Sequence, residues 1–356
     1  MRETPPEGAD ELRYHGGNIN LARSRFPRAP RPWIDLSTGI NPLPYPIGEI
    51  APSAWSRLPE PADVAALEAA ARTAYGAPPT VEIVAAPGTQ ALIQWISRII
   101  PARRVGVLGF TYGEHTTCWR DAGADVVTVA TLGELDAFDV GVVVNPNNPD
   151  GRQIPPDLLA ETARSLSRRG GLLIADEAFM DVLPPRDSLV PDFPGAGAVV
   201  LRSFGKIYGL AGLRLGFAAA SQEVATQLRR AIGPWAVSGP AIDIGRRALA
   251  DAGWLTEAVA RLQSEATRLD RMLQAAGFEI AGGTPLFRLA ARRDASHWFD
   301  QLGRAGILTR PFLARPDWLR FGIPHAPADW ARLEAALCAG EDSDRVMPPG
   351  ILRDRE

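Results

Sequence analysis

A lysine within a glycine-rich stretch constrains this chain more than any other feature. Residues 203–216 read Ser-Phe-Gly-Lys-Ile-Tyr-Gly-Leu-Ala-Gly-Leu-Arg-Leu-Gly and lie between two apolar, strand-like runs. The glycines would let backbone approach a bound group closely, and Ser203 and Arg214 place a hydroxyl and a cation near Lys206. Desolvation and a neighbouring cation lower the pKa of an amine and make it nucleophilic. The segment therefore predicts a lysine that forms a Schiff base with a carbonyl compound, and the alternative is a basic surface turn.

The pattern Ser-x-x-Lys, followed eight residues later by an arginine, resembles the cofactor segment of the fold-type I pyridoxal-phosphate enzymes, the aspartate aminotransferase superfamily. Three further segments match that superfamily in the expected order: Thr-Tyr-Gly-Glu-His at 111–115, Asn-Asn-Pro-Asp-Gly at 147–151 and Asp-Glu-Ala-Phe at 176–179. The resemblance implies pyridoxal 5'-phosphate as the cofactor and Lys206 as the catalytic lysine that holds it. It also implies an α/β fold with a three-layer αβα large domain, a mainly parallel sheet and a smaller α/β domain.

The same resemblance assigns a set of residues to the cofactor. The cofactor-binding candidates are Gly88, Thr89, Gln90, Tyr112, Asn148, Asp176, Phe179, Ser203, Lys206 and Arg214. The segment 88–90 falls where a predicted strand gives way to a helix, and backbone N–H groups at a helix start bind phosphate well. By the resemblance, Ser203 and Arg214 would bind the same phosphate.

The remaining cofactor candidates would surround the pyridine ring. Tyr112 would stack on the ring, with His115 as a neighbour behind it near Asp176. Asn148 would donate a hydrogen bond to the phenolic oxygen of the cofactor. Asp176 ends an apolar strand, and a buried carboxylate needs a cationic partner, which a protonated pyridine nitrogen would supply. Phe179 stands where many aminotransferases have tyrosine, so one hydrogen bond to the phenolic oxygen would be missing.

The likeness extends over nearly the whole chain and is closest to the threonine-phosphate decarboxylase branch, which serves cobalamin biosynthesis. The segments that carry it are His15–Asn18, Ile40–Leu43, Pro234–Ser238 and two late arginines. The substrate-binding candidates that it implies are His15, Gly16, Gly39, Asn148, Arg310 and Arg320. Guanidinium groups bind carboxylate and phosphate through paired hydrogen bonds, and the sequence leaves open which arginine binds which anion.

The resemblance implies decarboxylation of L-threonine O-3-phosphate to (R)-1-amino-2-propanol O-2-phosphate and CO₂. Enzymes of this fold break the Cα bond that is held perpendicular to the cofactor ring, so substrate orientation selects the reaction. Histidinol-phosphate aminotransferase, or another aminotransferase with this cofactor, is the alternative because it shares nearly all the cofactor residues. A third hypothesis is a regulator or inactive relative. Such regulators usually carry a DNA-binding helix-turn-helix, for which we expect no room before residue 15.

Composition excludes several other classes. The net charge of −3 with dispersed basic residues argues against a nucleic-acid partner. The two cysteines and four scattered histidines have no metal-ligand spacing, so we expect no metal. No apolar run is long enough to span a membrane, and we predict a cytoplasmic protein. The resemblance implies a homodimer, although Leu58 replaces a tyrosine that in many relatives reaches the neighbouring subunit's cofactor phosphate.

Hydrophobic patterning predicts the order of elements. Short apolar runs without strict alternation predict strands at 81–85, 104–108, 125–129, 139–145, 171–175, 198–202 and 215–219. Amphipathic or helix-like segments predict helices at 61–75, 89–100, 155–169, 221–231 and 253–276. We expect an N-terminal segment (1–40) that joins the small domain, a large domain (41–238), a small domain (239–340) and a disordered tail (341–356).

Overall fold

The structure is a computed structural model that describes residues 16–344, with only the backbone described for 340–344. His15 and the part of the predicted tail from residue 345 onward lie outside the described residues. The chain divides into two compact units. The large unit comprises Ile40–Ser264 and Gly282–Leu286, and the small unit comprises the rest of the chain. The predicted start of the small domain at 239 differs from this division, in which residues 239–264 belong to the large unit.

Strands and helices alternate through most of the described chain. The strands are β1 (Ile34–Asp35), β2 (Glu82–Ala86), β3 (Arg104–Leu108), β4 (Asp125–Val129), β5 (Val140–Val144), β6 (Leu172–Asp176), β7 (Ala198–Ser203), β8 (Gly216–Ala220), β9 (Glu279–Thr284), β10 (Phe287–Ala291), β11 (Ile307–Leu308), β12 (Arg310–Phe312) and β13 (Arg315–Gly322). The helices are α1 (Ile19–Arg25), α2 (Pro52–Ser56), α3 (Pro61–Ala74), α4 (Thr89–Ile99), α5 (Gly113–Asp121), α6 (Pro156–Ser167), α7 (Phe204–Ile207), α8 (Gln222–Ile232), α9 (Gly239–Ala250), α10 (Ala252–Ala275), α11 (Ala295–Arg304) and α12 (Pro327–Asp344). Short 3₁₀ helices cover Gly133–Ala137, Met180–Val182, Pro185–Asp187 and Ala211–Leu213.

The sheet of the large unit has seven strands in the order β2-β8-β7-β6-β5-β3-β4. All neighbouring pairs are parallel except those of β8, which runs antiparallel to both β2 and β7. The predicted, mainly parallel sheet is therefore confirmed. The first residue of β8 consequently lies at the same edge as the last residues of the parallel strands.

The apolar runs form the central strands, and both faces of these strands are buried. Val107, Val142 and Leu201 are at most 1% exposed and share one core with residues of α4 and α8. Strands covered on both faces need apolar side chains on both, which explains why strict alternation was absent from the sequence. None of the helices in residues 16–344 is long and apolar enough to cross a membrane.

A buried ion cluster joins the ends of β6 and β7. Arg202 donates to Glu177 at 3.2 Å and also binds Asp181. Ser188 donates its hydroxyl to Glu177 and accepts a hydrogen bond from Arg202 at 3.1 Å, and the guanidinium lies 4.3 Å from the ring centroid of Tyr75. Burial raises the pKa of the Glu177 carboxyl, and the nearby Arg202 opposes that change.

The described residues form two further sheets, and residues 282–284 at the end of β9 belong to the large unit. Strand β1 pairs in parallel with β11. The second sheet has the order β12-β13-β10-β9, with β13 antiparallel to both β10 and β12. Helix α12 continues to Asp344, past residue 341, where we expected the tail to begin.

Replacing Arg202 with methionine should destabilise the protein strongly. The substitution leaves two buried carboxylates without their cation, and breaking a buried ion pair in this way costs about 3–5 kcal/mol. Urea unfolding of the cofactor-free protein measures the loss. Arg169→Met is the control, because the pair of Arg169 with Asp136 is about half exposed and should change the unfolding free energy by at most about 1 kcal/mol. Equal losses for the two variants would contradict the structural role of the cluster.

Candidate active site

The cofactor candidates of the large unit collect at one edge of its sheet. Strands β2, β3, β5, β6 and β7 point in the same direction, so their carboxyl ends share that edge. Gly88 and Thr89 follow β2, Tyr112 follows β3, Asn148 follows β5, Asp176 ends β6, Ser203 ends β7, and Arg214 precedes the antiparallel β8. Ligands of open α/β sheets bind at such an edge, which makes it the candidate active site.

Asp176 is the last residue of β6 and is buried, with only 3% of its surface exposed. Its Oδ2 is 2.8 Å from Nε2 of His115, and its Oδ1 accepts from the backbone N–H of Ala178 at 3.1 Å. An ionised carboxylate only accepts hydrogen bonds, so the Nε2 of His115 carries the hydrogen when Asp176 is charged. The expected proximity of His115 and Asp176 is thus present, and a buried, oriented carboxylate is available to a cationic ring nitrogen.

Lys206 lies in α7, the four-residue helix that begins directly after Ser203. The lysine is half-buried, whereas its neighbours Gly205 and Ile207 are buried. The Nζ atom lies 5.3 Å from the ring centroid of Phe179. The lysine therefore projects from a buried turn past an aromatic ring that carries no hydroxyl group.

Two glycines allow close packing where a phosphate would bind. A Cβ atom on Gly88 would lie 2.7 Å from Nη2 of Arg214, and one on Gly216 would lie 2.6 Å from the backbone nitrogen of Thr89. Thr89 begins α4, and Gly216 pairs with Ser203 in the sheet. The guanidinium of Arg214, the N–H of Thr89 at the start of α4 and the hydroxyl of Ser203 at the end of β7 thus lie within one small region. Arg214 adopts a left-handed backbone conformation with φ of 55°, and such strain is commonly found at functional sites.

The side chain of Gln90 connects Tyr112 to Glu114. Its Nε2 donates to Oε2 of Glu114 at 2.6 Å, and its Oε1 accepts from the hydroxyl of Tyr112 at 3.3 Å. The backbone N–H of Gln90 is therefore available to a phosphate, whereas its side chain is not. Glu114 orients this amide, a role that sequence analysis missed even though Glu114 stood in a matched motif.

Asn147 is a second residue that sequence analysis left without a role. It is 1% exposed, donates to the carbonyl oxygen of Phe110 at 3.0 Å and accepts from the hydroxyl of Thr111 at 2.6 Å. It thereby holds the backbone that leads to Tyr112. The adjacent Asn148 is buried, at the position from which we expect it to reach the phenolic oxygen.

The small unit brings its own substrate candidates together. Arg310 and Arg320 lie directly opposite each other on β12 and β13. Nη2 of Arg320 donates to the carbonyl oxygen of Ser37 at 2.8 Å, and that same oxygen would be 2.3 Å from a Cβ atom on Gly16. Gly39 follows two residues after Ser37 and is buried. Ser37 is the link between these candidates, and nothing in the sequence singled it out.

The residues of the large unit fit pyridoxal 5'-phosphate. The glycine-lined region beside Arg214 and Thr89 suits a phosphate group, since a Cβ atom at residue 88 would fill it. The buried Asp176 suits a protonated ring nitrogen, and Lys206 supplies the amine. In residues 16–344 no cluster of His, Cys, Asp and Glu side chains is placed to hold a metal ion.

Comparisons with known proteins agree on one family. The family model described as aminotransferase class I and II matches residues 51–337. The chain is 44% identical to the threonine-phosphate decarboxylase of Pseudomonas aeruginosa over 91% of this chain and 96% of that protein. It is 42% identical to a protein of the same name from a Sinorhizobium species, over 92% and 98% of the two chains.

Among solved structures, the fold resembles the histidinol-phosphate aminotransferase of Sinorhizobium meliloti in complex with pyridoxal-5'-phosphate, with a TM-score of 0.81. That likeness covers 96% of this chain and 99% of that one at 22% sequence identity. At this identity the comparison shows the fold, which is the fold-type I architecture expected from the sequence.

Gly88→Ala should weaken cofactor binding beyond its effect on stability. The new methyl group would displace the guanidinium of Arg214, which we expect to bind the phosphate. We predict at least about a 10-fold rise in the dissociation constant of pyridoxal 5'-phosphate, which corresponds to one lost charge-assisted hydrogen bond. Equilibrium titration followed by absorbance measures it.

Gly233→Ala is the matched control for this variant. Gly233 has φ and ψ of 77° and 178°, against 89° and 159° at Gly88, but open space where the methyl group would lie. Both variants should lose similar folding stability through backbone strain. Unchanged cofactor affinity in Gly88→Ala would contradict a phosphate site at this position.

Proposed function

This chain belongs to the aminotransferase class I and II family, and from that premise we propose that it is a pyridoxal-phosphate-dependent decarboxylase of L-threonine O-3-phosphate. The product is (R)-1-amino-2-propanol O-2-phosphate, a precursor for cobalamin biosynthesis. Two relatives named threonine-phosphate decarboxylase, at 44% and 42% identity over nearly the full chain, support the assignment. The alternative, histidinol-phosphate aminotransferase, has weaker support, since the enzyme of that name from Dechloromonas aromatica is only 27% identical to this chain.

The observation that carries the proposal is the pairing of Arg310 with Arg320. Residues directly opposite on antiparallel strands place their side chains on one face, where like charges destabilise the pair. The rings of Phe312 and Phe287 lie 5.4 Å and 5.0 Å from the respective guanidinium carbons and offset part of that repulsion. Two cations held side by side suit a substrate with two anionic groups. L-threonine O-3-phosphate carries a phosphate and a carboxylate.

The polar cofactor candidates of the large unit then each have a role toward the cofactor. Ser203, Arg214 and the backbone at Thr89 bind its phosphate. Asp176, oriented by His115, holds a proton at the ring nitrogen, and Asn148 donates to the phenolic oxygen. When bound, pyridoxal 5'-phosphate supplies an electron sink for the charge that develops at the substrate's Cα.

Selection of the reaction falls to the groups that orient the substrate. The residues that bind the phosphate and the carboxylate decide which Cα bond faces the electron sink. Loss of CO₂ requires the carboxylate bond in that position, whereas amino transfer requires the Cα–H bond there. We assign the substrate anions to Arg310, Arg320 and the backbone at Gly16, and His15 stays a predicted contact.

We also propose a homodimer, on the evidence of exposed large apolar residues in the large unit. Trp55, Leu58 and Trp235 are 69%, 65% and 59% exposed. Trp235 also has a φ of 58°, an unusual conformation for a bulky residue. Pro59, the neighbour of Leu58, lines one cavity together with Trp235, and apolar side chains exposed in one patch are typical of interfaces. A cytoplasmic location stays a prediction.

The purified, cofactor-loaded protein should release CO₂ from L-threonine O-3-phosphate in equimolar amount with the aminopropanol phosphate, without any keto acid. Trapping of labelled CO₂ and phosphorus NMR of the product measure the two sides of the reaction. Lys206→Ala should abolish the release, because it removes the amine that holds the cofactor.

A different result would overturn this assignment. Absence of CO₂, together with formation of glutamate from histidinol phosphate and 2-oxoglutarate, would make the protein an aminotransferase. Both assays therefore need to be run on the same preparation.

Arg310→Met should lower kcat/KM for L-threonine O-3-phosphate by about 10- to 100-fold, since a hydrogen bond to a charged group contributes about 1.5–3 kcal/mol. Decarboxylation of L-threonine, which lacks the phosphate, separates the two anions. A much smaller loss with L-threonine would assign Arg310 to the phosphate, and an equal loss would assign it to the carboxylate. No loss with either substrate would remove Arg310 from the site.

A further inference from the structure

The helix that carries the reactive lysine is too short to be stable by itself. Helix α7 has four residues, from Phe204 to Ile207, and isolated helices of this length are not stable. The chain leaves it through Gly209, which has a φ of 65°. The position of Lys206 must therefore be set by contacts from elsewhere in the large unit.

Residues 41–45 supply these contacts along the end of α7. The backbone N–H of Asn41 donates to the carbonyl oxygen of Lys206 at 2.9 Å. The side-chain Nδ2 of Asn41 donates to the carbonyl oxygen of Ile207 at 2.7 Å, and the N–H of Tyr45 donates to that of Tyr208 at 2.9 Å. Three successive carbonyl groups at the end of α7 are thus bound by one neighbouring segment, and that of Lys206 also accepts from the N–H of Gly209 at 3.3 Å.

The amide of Asn41 is held in one orientation. Its Oδ1 accepts from Nη2 of Arg261 at 2.7 Å and from the N–H of Leu43 at 3.1 Å. A rotated amide would put its oxygen against the carbonyl oxygen of Ile207 and its NH₂ group against two donors. Arg261 on α10 therefore directs the Nδ2 of Asn41 toward α7.

Close approach of the two segments depends on Gly209. A Cβ atom at this residue would lie 2.7 Å from the carbonyl oxygen of Asn41 and 2.7 Å from the Cα of Pro44. Asn41 is 2% exposed, so water does not replace its hydrogen bonds. The contact is a tight backbone-to-backbone packing rather than a surface association.

We propose that Asn41, oriented by Arg261, is a positioning residue that sets the reach of the Lys206 amine. This role rests on the proposed function insofar as Lys206 holds the cofactor. It differs from a general packing role because the bonds of Asn41 end on the lysine residue itself and on its neighbour Ile207. Misplacement of a reacting group by about 1 Å can cost about 100-fold in rate.

The test is covalent attachment of the cofactor, in which the Lys206 nitrogen bonds to the aldehyde carbon and one water leaves. Cofactor-free protein is mixed with pyridoxal 5'-phosphate, and attachment is followed by absorbance and by borohydride trapping with peptide mapping. Asn41→Ala should attach the cofactor about 10- to 100-fold more slowly. It should lower kcat by a similar factor while KM stays within about 3-fold.

Three further variants complete the series. Asn41→Asp should behave like Asn41→Ala, because a carboxylate cannot donate to the carbonyl of Ile207. Arg261→Met should have a smaller effect, since Asn41 remains and its Oδ1 keeps the hydrogen bond from the N–H of Leu43. Leu166→Ala is the control: this residue is fully buried in the core and lies beside Gly141 on β5, and its loss lowers the unfolding free energy by roughly 2–5 kcal/mol.

The proposal would be overturned if Asn41→Ala attached the cofactor at a rate near that of the wild type while it lost as much stability as Leu166→Ala. Asn41 would then be a structural residue. Slow attachment in Asn41→Ala alone supports it. The attachment readout does not use decarboxylation. A protein that releases no CO₂ but attaches the cofactor normally would therefore contradict the proposed function and still test the role of Asn41.

Discussion

A parallel sheet that is buried on both faces can expose polar groups only where its strands end, and this constraint organises the large unit. The apolar interiors of β5, β6 and β7 admit almost no polar side chains, so Asn148, Asp176 and Ser203 occur where each strand stops. The reversed direction of β8 brings Arg214 to the same edge. The candidate active site is thus a consequence of how the core is built.

Consecutive residues at two of these strand ends serve different purposes. Asp176 contacts His115 near the candidate site, whereas the next residue, Glu177, enters the ion cluster with Arg202. Ser203 follows Arg202 in the same way on β7. Successive side chains of an extended chain point in opposite directions, so one pair of strand ends supplies both the site and its buried support. Movement of the ion cluster would shift Asp176 and Ser203 as well.

Sequence reasoning could propose the cofactor candidates because they belong to contiguous motifs, each a few residues long. It also placed most strands within two residues, because fully apolar runs of strand length have few alternatives. It missed Gln90 as the link between Tyr112 and Glu114, since Gln90 belongs to a different motif from the other two residues. It missed Asn147 for a related reason: the residue stood inside a motif, but its partners at 110–111 became visible only in the fold.

Most of what the sequence by itself determined is chemical: a lysine among glycines, a carboxylate after an apolar strand, and two arginines near the end of the chain. These features depend on residue type and local spacing, which a linear pattern contains. The tertiary structure decided which of them meet. Asn41 and Lys206 are far apart along the chain, and the opposition of Arg310 to Arg320 depends on a strand register. Such contacts arise from packing between segments that are distant in the sequence. A local sequence pattern does not specify which distant segments pack together.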